Sequence, residues 1–186
     1  MTDLDAIARL KNGDLAGLAE LVTLHQEKAV RVVYLIVQDE PLAEDIVVDT
    51  FLRIARHIAS FKPEQPFEPY LMRSLVNAAL NATRKEQVSL DGKEAARALD
   101  QLLLRAESLE DLVEARELRL QVQNAIASLS PRHRAVIVQR YYLGMSEEEM
   151  SAALDAPRGT IKWLLNRARN SLGKLLSKKG SHNEQE

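Results

Sequence analysis

Apolar residues recur every three or four positions over most of this 186-residue chain, which is the period of an amphipathic α-helix. The spacing predicts three helices in the N-terminal half, over residues 15–38, 42–59 and 70–85. A polar break at residues 39–41 ends the first helix, and a proline-rich loop over residues 61–69 precedes the third. The apolar stripe of the first helix comprises Leu15, Leu18, Leu21, Val22, Val30, Val33, Tyr34 and Val37.

The second and third predicted helices each have a polar face opposite the apolar one. In the second, the predicted buried side comprises Ala43, Ile46, Val47, Thr50, Phe51 and Ile54, and the outer side comprises Glu44, Asp45, Asp49, Arg53 and Arg56. In the third, the predicted buried residues Leu71, Leu75, Ala78 and Ala79 lie opposite Arg73, Asn77, Asn81, Arg84 and Lys85. Asparagine is a poor helix former. Two asparagines one turn apart therefore indicate a hydrogen-bonding role, although a plain solvated face has the same pattern.

Three helix starts follow one another in the C-terminal third. Ser130 precedes a proline at the first helical position, and Ser146 with Glu149 has the spacing of a capping box. Asp155, which tolerates left-handed geometry, ends that helix, and Pro157 opens the next. Two short helices joined by a tight turn, the second one basic, are typical of a helix-turn-helix, which places its second helix in the DNA major groove.

Charge is distributed unevenly, although the net charge is only -2. Lys and Arg number 10 against 13 Asp and Glu in residues 1–87, 4 against 8 in residues 88–118, and 11 against 6 in residues 119–186. Residues 156–180 contain seven cations and no carboxylate. Such a local field suits DNA, because neutralising phosphates releases counterions. A solvated basic face would have the same composition, but this run coincides with the second helix of the helix-turn-helix pattern, which favours DNA binding.

Composition narrows the class of protein further. Aromatic residues make up only 4% of the chain, which favours helical packing over a β-sandwich. There is no cysteine and the four histidines are widely spaced, so we expect no disulfide, metal or cofactor. We also expect no membrane span, signal peptide or catalytic motif, and hence a cytoplasmic protein that is not an enzyme.

The acidic middle section divides the chain into two parts. We predict an all-α protein with two small helical domains, over residues 1–87 and 113–178. A flexible acidic linker over residues 88–112, which contains Gly92, joins them, and a disordered tail follows at residues 179–186.

Both predicted domains resemble those of bacterial RNA polymerase sigma factors. The sequence Ala-Glu-Asp-Ile-Val-Val-Asp-Thr-Phe-Leu-Arg, from Ala43 to Arg53, resembles the core-binding helix of that family, whose usual form is Ala-Glu-Asp-Leu-Val-Gln-Glu-Thr-Phe-Leu. Residues 70–85 resemble the promoter-reading helix of the same domain, called region 2. Residues 129–176 resemble the helix-turn-helix domain, called region 4. Because only these two domains are present, the chain resembles the extracytoplasmic-function (ECF) subfamily.

The resemblance implies a subunit that binds the RNA polymerase core, directs it to promoters and assists promoter melting. The implied core-binding residues are Glu44, Asp45, Asp49 and Arg53. Those implied for the upstream (-10) element of promoter DNA are Arg73, Asn77, Asn81, Arg84 and Lys85. Those implied for the -35 element are Arg158, Thr160, Lys162, Trp163, Arg167 and Arg169. Many relatives are held inactive by an anti-sigma factor, and the resemblance leaves open whether this chain has one.

Two other classes of protein share part of this pattern. A helix-turn-helix transcriptional regulator that is not a polymerase subunit would leave the motif at residues 43–53 unexplained. A helical adaptor or sigma-factor inhibitor would leave the basic helix without a role.

Two aromatic features also have alternative interpretations. Phe61 and Phe67 either anchor their loop on the core, which we favour, or stack on an unpaired base. Trp163 either contacts DNA or packs inward.

Overall fold

The structure is a computed structural model that describes residues 2–62, 64–85 and 112–180, with the backbone alone for residues 85, 112–119 and 177–180. These residues form α-helices and no strand, which confirms the all-α prediction. The chain divides into two compact units, Met1–Ala82 and Thr83–Glu186. The predicted domain boundaries, the linker with Gly92 and the tail stay predictions, because residues 86–111 and 181–186 lie outside the described part of the chain.

The described residues from 2 to 85, which include nearly all of the first unit, form four α-helices and one short 3-10 turn. They are α1 (Asp3–Lys11), α2 (Ala16–Val37), α3 (Glu40–Arg56), the 3-10 turn (Ile58–Ser60) and α4 (Phe67–Lys85). Helix α2 packs against both α1 and α3. Helix α1 was not predicted. It begins at a capping box, in which the Thr2 hydroxyl accepts from the Asp5 amide and the Asp5 carboxylate accepts from the Thr2 amide.

The helix boundaries of this unit follow local backbone chemistry. Leu15 is exposed rather than buried, because it precedes the first turn of α2. Helix α2 ends at Gln38, whose φ of 63° is left-handed, and Asp39 then caps α3 by accepting a 2.8 Å hydrogen bond from the Leu42 amide. The proline-rich loop is shorter than predicted. Helix α4 begins at Phe67 and contains Pro69 in its first turn, where a missing N–H costs no hydrogen bond.

The core of the first unit lies between the apolar faces of these helices. The predicted buried side of α3 is confirmed at all six positions. In α4, Leu71, Leu75 and Ala79 are buried, whereas Ala78 is only half-buried. Met72 and Val76 are buried instead, so the buried stripe of α4 is wider and turned by about one residue relative to the prediction.

Helix α1 approaches the start of α2 at Gly17, which is buried. A Cβ atom at Gly17 would lie 2.3 Å from the Ala6 carbonyl oxygen and 2.8 Å from the Leu10 amide nitrogen. Both atoms belong to the α1 backbone, so α1 would have to move. We expect Gly17→Ala to lower the free energy of unfolding by about 1–3 kcal/mol, measured by urea denaturation. Gly173→Ala is the control, since its Cβ would meet nothing within 4 Å and should leave stability unchanged or slightly raised.

In residues 112–180, the part of the second unit that the structure describes as a continuous stretch, there are four further α-helices. They are α5 (Leu112–Ala127), α6 (Pro131–Ile137), α7 (Glu147–Leu154) and α8 (Arg158–Gly180), with a π-helical turn (Val138–Tyr142) directly after α6. One buried cluster joins them and comprises Leu129, Val136, Ile137, Met150, Ile161, Leu165 and Ala168. Helix α8 therefore rests on α6 and α7 through one apolar face.

Helix α6 begins where it was predicted to begin, but without the predicted hydrogen bond to the Ser130 side chain. Ser130 occupies the N-cap position, but its side chain accepts no hydrogen bond from the helix, so the start relies on Pro131, whose fixed φ suits the first helical position. Arg134 joins α6 to the end of α5, because its Nη1 donates to the Ala127 carbonyl at 3.0 Å. Burial lowers the pKa of the Arg134 guanidinium to about 10, so the group still carries its charge at neutral pH.

Candidate nucleic-acid interface

Helices α7 and α8 form the predicted helix-turn-helix. The capping box at the start of α7 is confirmed: the Glu149 amide donates to Ser146 Oγ at 3.2 Å, and the Ser146 amide donates to the Glu149 carboxylate at 2.7 Å. Hydrogen bonds from Ser146 to the Glu149 carboxylate, first from its backbone amide and then from its side chain, lower the pKa of the Glu149 carboxyl below its usual value. Asp155 ends α7 with φ 48° and ψ 50°, the left-handed geometry that was predicted. Helix α8 begins three residues later, which leaves a turn of the length a helix-turn-helix requires.

All six residues predicted to contact the -35 element are exposed on α8: Arg158, Thr160, Lys162, Trp163, Arg167 and Arg169. Successive residues of a helix are about 100° apart. Arg158, Lys162 and Arg169 fall within about 40° of one another, on the flank of α8 beside α7 and the π turn. Thr160 and Arg167 lie on the opposite flank. The helix therefore presents two separate rows of side chains predicted to contact DNA, and both that contact and its assignment to bases or phosphates stay predictions.

Two cations of the first row are paired with carboxylates of α7. Arg158 lies 3.9 Å from the Glu148 carboxylate, and Lys162 lies 3.8 Å from the Glu147 carboxylate. Exposed pairs of this kind contribute little to stability. They place two negative charges beside the cations that are predicted to meet the bases. The sequence did not indicate these pairs, since they depend on the crossing of α7 and α8.

Trp163 points away from the core, so the inward-packing alternative is wrong. Its side chain is 54% exposed, and the Arg167 guanidinium carbon lies 5.1 Å from the centre of its ring. This cation–π contact orders two large side chains on the outer face of α8. A role for the Trp163 ring on DNA stays a prediction.

Two exposed asparagines of α8 are further candidates for the interface that the sequence analysis did not name. Asn166 and Asn170 are exposed one turn apart, beside Trp163, and Asn170 Nδ2 donates to Asn166 Oδ1 at 2.9 Å. An asparagine amide can pair with the edge of adenine. The signal was present in the sequence, because the same spacing of two poor helix formers had singled out Asn77 and Asn81 in α4.

The predicted -10 residues lie along α4 in the first unit. Arg73, Asn81 and Arg84 are exposed and Asn77 is half-buried. The backbone of Lys85 belongs to α4, but its side chain lies outside the described residues. Four of the five predicted side chains therefore lie on one helix and are at least partly accessible to solvent.

The loop before α4 is fixed by aromatic packing. Phe61 and Phe67 are both buried, with ring centres 5.9 Å apart, and Phe61 also packs against Tyr70 at 5.1 Å. Lys11 Nζ donates to the Phe61 carbonyl at 2.6 Å, which ties the loop to α1. The anchoring role that we favoured for both rings is thus supported, since neither ring is available for stacking.

The polar face of α3 is a second exposed surface. Glu44, Asp45, Asp49 and Arg53 are exposed, as predicted. Between the carboxylates lie two apolar side chains, Val48 at 57% and Leu52 at 41% exposure. Val48 and Leu52 lie one turn apart on the face of α3 that points away from the core. The sequence analysis did not name Leu52. A surface that mixes carboxylates with exposed apolar groups suits a protein partner rather than DNA.

Two family models match the chain. The model for sigma-70 region 2 matches residues 21–88, and the model for sigma-70 region 4 matches residues 119–172. Among similar proteins, the ECF RNA polymerase sigma factor SigW of Bacillus subtilis is 29% identical over 176 residues, covering 91% of this chain and 94% of that protein. The ECF RNA polymerase sigma-E factor of Escherichia coli K12 is 29% identical over 184 residues, covering 92% and 93%.

Solved structures share the fold. CnrH, solved in complex with the cytosolic domain of CnrY, has a TM-score of 0.62 at 23% identity and covers 95% of this chain and 97% of its own. The sigma factor RpoE of Bartonella quintana, solved with the anti-sigma factor NepR, has a TM-score of 0.60 at 23% identity and covers 86% and 96%.

The matched segments together span more than half of the chain, with region 2 before region 4. The chain therefore belongs to the sigma-70 family of RNA polymerase sigma factors, within its ECF group. Its function is that of an RNA polymerase specificity subunit, which sets aside the two other classes of protein considered above. In the part of the chain that the structure describes, no helix is long and apolar enough to span a membrane.

Proposed function

We propose that the chain binds core polymerase through the exposed face of α3, engages the -10 element through α4 and reads the -35 element through α8. The observation that carries this proposal is that the exposed faces of α3 and α8 have different chemical composition. The α3 face offers carboxylates and apolar groups, whereas the α8 face offers cations, amides and an indole. A basic protein surface suits the first, and a phosphate-lined groove suits the second.

Promoter melting requires the capture of an unstacked base. The buried rings of Phe61 and Phe67 leave base capture to polar groups at the α4 end of the loop. Arg73 and Asn77 lie nearest to that loop among the predicted -10 residues. Hydrogen-bonding groups of this kind can hold an unstacked base.

In this function the chain carries out no chemical step, because polymerase itself forms the RNA. The chain acts in the cytoplasm, where polymerase and promoter DNA are found. We propose an anti-sigma factor as a further partner, because the RpoE protein of Bartonella quintana, which shares this fold, was solved with the anti-sigma factor NepR.

Reconstitution tests the proposal directly. The purified chain is mixed with core polymerase, and the complex is offered a library of genomic fragments for transcription. We expect co-elution with core on size exclusion and transcripts that start from a small set of related promoters. Core polymerase alone is the control. A chain that binds core but yields no promoter-specific transcripts would contradict the DNA-reading part, and a chain that does not bind core would contradict the whole proposal.

A further inference from the structure

Tyr141 and Arg169 form a polar pair that neither the sequence nor the family match assigns. Tyr141 lies in the π turn after α6 and its side chain is 60% exposed. Its hydroxyl oxygen accepts a 2.7 Å hydrogen bond from Arg169 Nε, and the Arg169 guanidinium carbon lies 5.7 Å from the centre of the ring. Twenty-eight residues separate the two along the chain, so only the packing of the second unit brings them together.

The pair lies on the same flank of α8 as the two cations expected at the bases. Arg169 is seven residues beyond Lys162, which is about 10 Å further along the helix axis. The first two cations of this row face carboxylates, at Glu148 and Glu147. The partner of Arg169 is a neutral phenol. Among the described side chains, Arg169 is thus the member of the row that is held by a phenol rather than by a carboxylate.

The hydrogen bond between the two side chains uses only one of the donors that they carry. Arg169 uses Nε to bind Tyr141, so its two terminal nitrogens can donate together to one anion. The Tyr141 hydroxyl accepts through oxygen and still has its own hydrogen to donate. Arginine and tyrosine are both common donors to the phosphates of DNA, and such contacts fix the register of a protein on the duplex.

We propose that Tyr141 and Arg169 together bind one backbone phosphate of promoter DNA beside the -35 element. Tyr141 fixes the guanidinium and donates its hydroxyl hydrogen to the same phosphate. The inference rests on the proposed function, since it requires α8 to lie in the major groove. In that position the C-terminal half of the helix leaves the base edges and passes a strand of the backbone.

A double-mutant cycle tests this pair in reconstituted holoenzyme. Binding to a panel of -35 variants is measured over a range of salt concentrations for Tyr141→Phe, Arg169→Ala and the double variant. We expect Tyr141→Phe to weaken binding about tenfold on every sequence, because one charge-assisted hydrogen bond is lost. The dependence on salt should stay unchanged, because no charge is removed. Arg169→Ala should also act on every sequence and should lower the slope of log affinity against log salt by about one.

The difference between the effect of Tyr141→Phe in the wild-type chain and its effect in the Arg169→Ala variant shows whether the two side chains act together on one phosphate. We expect Tyr141→Phe to change affinity less than twofold once Arg169 is alanine. A full tenfold effect in that background, or no effect of Tyr141→Phe alone, would overturn the inference. Tyr142→Phe, the neighbouring exposed phenol, is the matched control, and equal thermal midpoints of the variants show that folding is intact. If Arg158→Ala and Lys162→Ala also leave DNA binding unchanged, the proposed role of α8 fails; if they weaken binding while Tyr141→Phe does not, only the phosphate pair fails.

Discussion

Replacing Arg158 or Lys162 by alanine will weaken promoter binding at particular base pairs of the -35 element, by about 1–3 kcal/mol at each affected pair. Both side chains project from the first turns of α8, where a recognition helix meets the floor of the major groove. Arg169→Ala will instead weaken all sequences alike, because it removes a phosphate contact. The measurement is holoenzyme binding to single-base variants of the -35 element at several salt concentrations.

The ion pair between Lys162 and Glu147 of α7 affects how the Lys162→Ala result is interpreted. Lys162→Ala leaves Glu147 without its partner, so the measured loss combines a missing contact with an added repulsion of DNA. Glu147→Gln, alone and together with Lys162→Ala, separates the two contributions. Arg132→Ala is the control, because Arg132 is an exposed arginine of α6 outside the proposed interface. Uniform losses for Arg158→Ala and Lys162→Ala across all variants would contradict base readout and would make α8 a phosphate clamp.

Reversing the charge of Asp45 or Asp49 to lysine will weaken binding of the chain to core polymerase by at least about tenfold. Like charges placed against each other across an interface cost several kcal/mol, and both carboxylates are exposed on α3, so the fold should be unaffected. Competition for core against a labelled wild-type chain gives the affinity, and circular dichroism checks folding. Glu64→Lys is the matched control, since Glu64 is an exposed carboxylate of the same unit that lies off the α3 face.

The apolar pair on the same face gives a second readout of the site. Leu52→Ala should weaken core binding without changing its salt dependence, whereas Asp49→Lys should change both. Unaltered core affinity in both the Asp45→Lys and Asp49→Lys variants would reject α3 as the polymerase-binding surface, whatever the effect of Leu52→Ala.

Features set by neighbouring residues could be predicted from the sequence. The buried side of α3, the capping box of α7 and the left-handed Asp155 each depend on residues within one or two turns. The direction of Trp163 belongs to the same group. It lies two positions from the buried residues Ile161 and Leu165, so the helical period alone places it on the outer face.

Features set by packing between distant segments could not be predicted. The pairing of Tyr141 with Arg169 and that of Glu147 with Lys162 depend on how α8 crosses the elements before it. The start of α4 was misplaced for a different reason: three prolines between positions 63 and 69 suggested a loop throughout, yet the last of them lies where a helix accepts proline. Helix α1 is short, and its capping box uses an aspartate rather than the usual Glu or Gln.

In the two ion pairs between α7 and α8, carboxylates of the protein itself act as the counterions of Arg158 and Lys162. When Arg158 and Lys162 meet DNA, each exchanges a carboxylate for a nucleic-acid group, so fewer ions are taken from or returned to the solvent than the number of cations suggests. Salt that screens the DNA also screens the internal pairs and frees the same cations. Promoter recognition by this sigma factor should therefore tolerate changes in cellular ionic strength better than its basic helix alone would allow.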